Sequence, residues 1–208
     1  MGREATGSVR TAAGAGKAKV LLETDELIFR GEARAKVPFT ALTVVDPGPA
    51  GLRLVWPDGE AVVDLSEADA TRWADRIRNP PSLLDKLGVK DGTRITVLDP
   101  DYEGFADDAF AAELAHRAVK RVAEGPADVV VWGLDEAADL ARLPALIDRI
   151  KPAGAVWAVW RKGQRDLNEN HVRDAARDAG LVDVKVARFS ATHTALKLVV
   201  PKAKRGTP

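Results

Sequence analysis

The chain has 208 residues, no cysteine and a formal net charge of zero. That length sets an expectation of one domain or two small ones. The missing cysteine excludes disulfides, thiolate nucleophiles and cysteine-ligated zinc or iron–sulfur centres. The zero charge hides an uneven spread. Residues 1–20 carry Arg3, Arg10, Lys17 and Lys19 against Glu4, and residues 201–208 carry Lys202, Lys204 and Arg205 with no acid. The body between them is therefore acidic. An acidic body is a poor nucleic-acid platform, so the basic ends read first as solubilising tails. No apolar run reaches the ~18–20 residues of a membrane span. The N-terminus has no signal-peptide core, which sets a cytoplasmic expectation.

Residues 1–17 are rich in Gly, Ala, Ser and Thr without periodicity and read as a disordered tail. From residue 18 short apolar runs begin: Val20–Leu22, Leu27–Phe29, Ala35–Phe39, Leu42–Val45, Leu52–Trp56 and Ala61–Leu65. Asp46-Pro47-Gly48-Pro49 and Pro57-Asp58-Gly59 punctuate them. This is the pattern of an antiparallel meander. A helix follows. Ser66 with Asp69 is a capping-box pair, and Ala70, Trp73, Ala74 and Ile77 fall at the spacing of one apolar face. Asn79-Pro80-Pro81 ends it, because proline supplies no backbone donor. Residues 18–80 thus form a small, mainly antiparallel β domain closed by one helix. This arrangement resembles a bacterial pleckstrin-homology-like roll, with Trp73 plugging the open sheet.

Residues 82–201 alternate strand and helix. Arg94–Leu98 is a strand, and Asp107 to about Val119 a helix with Phe110 and Leu114 on one face. Val119–Val122 is open between strand and helix. Asp128–Trp132 is an uninterrupted apolar run, the mark of a strand buried on both faces. Leu140, Leu143, Ile147 and Ile150 mark a helical face. Pro152-Ala153-Gly154 turns into a strand from Ala155 to Trp160. Val172, Ala175, Ala176 and Ala179 line a helix stopped by Gly180. Asp183–Phe189 and Ala195–Val200 form a closing hairpin through Ser190–His193. The alternation predicts an α/β fold, with a parallel sheet and helices on both faces. Residues 202–208 remain as a basic tail.

Several passages resemble a class I methyltransferase core. Leu87–Asp99 looks like its entry and first strand, Ala127–Trp132 like its fourth strand, and Leu146–Trp157 like the passage into its fifth. More closely, the half is similar to an uncharacterised bacterial family of unknown function with a reduced, Rossmann-like version of that core. Asp166-Leu167-Asn168-Glu169, Val172-Arg173 and Gly180–Val186 carry that similarity. Two departures stand out. The loop after the first strand, Asp99–Phe105, has one glycine, one proline and three carboxylates. A cofactor loop would instead offer glycine and backbone amides, and negative charge there repels the carboxylate of S-adenosylmethionine. Only about thirty residues lie between Asp99 and Asp128, too few for the usual second and third strands. These are expected to be missing or vestigial, and with them the acid that holds a ribose.

Open parallel sheets take ligands beyond the carboxyl ends of their strands. That edge would gather Asp99, Asp101 and Tyr102, then Trp132 and Gly133, then Trp160, Arg161 and Lys162. Two indoles between acids and bases would suit a planar or zwitterionic ligand. The plainer alternative packs both indoles under loops. Asp99 and Asp101 lack an evident third ligand, so no metal is expected. His116, His171 and His193 lie on separate elements, and no Gly-x-Ser-x-Gly elbow accompanies Ser190, so no catalytic residue is assigned. The resulting expectation is a non-catalytic binding or scaffold module on a degenerate methyltransferase-like core, with no cofactor and an unknown protein or small-molecule partner. The alternatives are a divergent S-adenosylmethionine-dependent methyltransferase using the strand-end cleft, and an anionic-surface or nucleic-acid binder acting through the basic tails.

Overall fold

The computed structural model describes residues 3–12, 14–98 and 108–205. The chain divides into two compact units, residues 1–81 and 82–208.

The first unit is a seven-stranded antiparallel sheet. Its strands are β1 (Arg3–Thr11), β2 (Gly14–Leu22), β3 (Glu26–Gly31), β4 (Ala35–Pro38), β5 (Val44–Gly48), β6 (Gly51–Trp56) and β7 (Gly59–Val63). The order is β4-β3-β2-β1-β7-β6-β5, so β1 joins two sequential meanders. It pairs with β2 from Arg3 to Thr11 and with β7 only from Val9 to Thr11. Gly51 makes the tightest approach in the sheet. Its φ is +109°, and a Cβ there would stand 2.1 Å from the carbonyl oxygen of Val63. Helix α1 (Glu67–Arg78) starts where Ser66 Oγ accepts the amide of Asp69, and buries Ala70, Trp73, Ala74 and Ile77 against the strands.

Two expectations for this unit need correction. Residues 1–17, read as a disordered tail, supply β1 and the start of β2. Val9 is the only buried side chain of β1. The strand is held by backbone pairing on both sides, a tertiary contribution that residue propensity does not register. Asp46-Pro47-Gly48, read as a loop, continues β5. That strand is an edge of the sheet, where a proline removes no ladder hydrogen bond.

The second unit is a six-stranded mixed sheet flanked by helices. In chain order it contains α2 (Leu83–Leu87), β8 (Arg94–Leu98), α3 (Asp108–His116), β9 (Lys120–Arg121), β10 (Ala127–Leu134), α4 (Leu143–Ile147), β11 (Ile150–Arg161), α5 (Glu169–Asp178), β12 (Val182–Arg188) and β13 (His193–Val199). The strand order is β12-β13-β11-β10-β8-β9. β9, β8, β10 and β11 run parallel, while β13 is antiparallel to both its neighbours. Val130, Trp132, Val156, Ala158 and Trp160 build the core on one face with α4 and α5. Val129, Val131, Trp157 and Val159 build the other, with Leu84, Leu87, Phe110 and Leu114 of α2 and α3. This two-sided burial is why β10 and β11 read as unbroken apolar runs.

Helix α2 has an unexpected cap. Besides Ser82, which accepts from Asp85 N–H, the Glu113 carboxylate of α3 accepts the amides of Leu83 (3.2 Å) and Leu84 (3.0 Å). Pro152-Ala153-Gly154, read as a turn, lies inside β11. The extra residues are absorbed as a pairing irregularity between Ala127↔Ile150 and Val129↔Ala155. Of the region read as strand or helix, Lys120 and Arg121 are strand.

Candidate functional site

The parallel strands share one carboxyl edge, at Leu98 of β8, Leu134 of β10 and Arg161 of β11. From β8 the chain goes out to β9 on one side and then returns past β8 to β10 on the other. The carboxyl ends of β8 and β10 therefore flank the sheet's switch point, where such folds open a crevice. Asp99, Asp101 and Tyr102 fall outside the described residues.

The remaining residues expected at this edge are not gathered into one cleft. Trp132 and Trp160 are 0% and 3% exposed and sit in the same core. They offer no ring face to a planar ligand. Gly133 follows Trp132 and pairs with Val159. Arg161 is exposed and stands opposite His193 in the ladder. Lys162 closes the hairpin beside it. Its ammonium donates to the carbonyls of Ser190 (2.9 Å) and Ala191 (3.0 Å), and its amide donates to Thr192. Ser190 Oγ accepts the amides of Thr192 and His193. These bonds give Ser190 and Lys162 turn-forming roles.

Three features were not found from sequence. His193 is fully buried, with Nδ1 2.9 Å from Thr192 Oγ1. The one available signal was the period-2 alternation that places it on the same face as Ala195. Trp132 Nε1 and Gln164 Oε1 are buried with no hydrogen-bond partner among the described residues. An orphaned donor or acceptor costs roughly 1–3 kcal/mol unless something satisfies it.

The strand beyond β8 is short and basic. β9 is two residues long and ends in the exposed cations Lys120 and Arg121. Thr96 Oγ1 holds the Val122 carbonyl at 2.8 Å, Arg149 holds that of Ala123, and Arg94 holds that of Pro126. Arg121 and Val129 both pair with Ile95, so the chain re-enters β10 at Ala127, two positions nearer the amino edge. Glu124 lies in that return segment. Among the described residues no carboxylate lies on β9 itself.

No family model and no curated protein matches the chain. Solved structures do. A ribosomal protein L11 methylase from Lactobacillus delbrueckii subsp. bulgaricus is 11% identical, with 57% of this chain and 74% of that one covered at a TM-score of 0.39. A TehB-like SAM-dependent methyltransferase from Corynebacterium glutamicum is 12% identical over 65% of this chain and 97% of that one, with a TM-score of 0.39. A SAM-dependent methyltransferase from Aquifex aeolicus is 16% identical over 60% and 92%, with a TM-score of 0.38. The expectation of a non-catalytic scaffold is corrected here: the similar structures are methyltransferases, a likeness of fold that sits better with the divergent-methyltransferase alternative. At these identities and scores no substrate or residue role passes to this chain.

Proposed function

We propose that the second unit is a divergent S-adenosylmethionine-dependent methyltransferase, with its ligand beyond the carboxyl ends of β8 and β10. The strand order carries this reading. A parallel set β9-β8-β10-β11, with an antiparallel strand inserted before the outer β12, puts one switch point at β8. Ligands of open α/β sheets sit at such points. One detail supports a ligand there: Gly133 places backbone without a side chain near the end of β10. The basic end of β9 fits the adenosyl group less well, because the ribose would be held without the usual carboxylate. Weak binding is therefore expected. Isothermal titration with S-adenosylmethionine should give saturable heat, weakened by Gly133→Val. An absence of heat at roughly millimolar ligand, where binding is worth only ~4 kcal/mol, overturns the proposal.

A further inference from the structure

We draw no further inference here: the strongest candidate, the outer edge of the second sheet where β12 leaves Val182, Val184 and Val186 exposed, is an unpartnered apolar strand, and nothing in the structure shows what covers it.

Discussion

The two units solve the same problem, covering a sheet, in different ways. In the first, every strand pair is antiparallel and five of the six neighbouring pairs are consecutive in the chain. One face is buried, so β2 alternates buried and half-buried residues along its second half. In the second, parallel strands need crossovers, the crossovers place helices on both faces, and β10 is apolar almost throughout. A meander is held locally and fails if its joining strand is lost. A sandwiched sheet is held by its two cores and fails through buried polar bonds.

The largest test of this contrast is deletion of residues 1–17. It removes β1, the one strand joining the two meanders, and the first part of β2. Limited proteolysis should then digest residues 18–81 while a fragment near residues 82–205 stays protected. A protected first unit would show that β1 is dispensable. The same deletion cannot serve as a neutral test of binding by basic tails: Lys19 pairs with Glu4 across the hairpin, and Arg10 holds the Ala50 carbonyl.

A smaller effect is expected in the second unit from Trp157→Phe. The ring volume is largely kept, but the buried Leu87 carbonyl loses its indole donor. Urea unfolding should show a loss of about 2 kcal/mol. A loss below ~0.5 kcal/mol would mean that the indole bond contributes little net stability.

The smallest effect concerns acid stability. Burial raises the Asp128 pKa, but the Lys151 ammonium at 2.7 Å and the Arg94 amide at 2.8 Å outweigh it, and the net value lies below 3.8. A carboxylate depressed on folding adds stability above its unfolded pKa and loses it as pH falls through the folded value. Asp128→Asn should therefore flatten the fall in stability below pH 3.8. The partner side chains are well exposed and solvent-screened, so the cost at neutral pH should be under about 1 kcal/mol. An unchanged acid limb in denaturant titrations between pH 2 and pH 5 would contradict the assignment.

Much of the architecture was legible wherever a side chain's burial follows from local spacing. The α1 stripe of Ala70, Trp73, Ala74 and Ile77 is buried as its periodicity requires. The β12–β13 hairpin forms through Ser190–His193. Where pairing rather than side chains decides, the sequence was silent or misleading. Val182, Val184 and Val186 alternate as though on one face. A bulge between Asp183 and Lys185 sets Val182 opposite Val199 and Val186 opposite Leu196, on different faces. The candidate edge shows the same limit. Trp132 and Trp160 were identified by type, but their type does not say that both would be taken into the core.

The sequence by itself determined the two classes of sheet, the closing helix of the first unit and the apolar strands at the centre of the second, because hydrophobic period follows directly from backbone geometry. The tertiary structure alone decided that residues 3–11 form the joining strand, that β9 ends in cations before its early return, and that Lys185 faces Lys197. Each of these depends on which backbone pairs with which, and ladder hydrogen bonds leave no mark in side-chain chemistry.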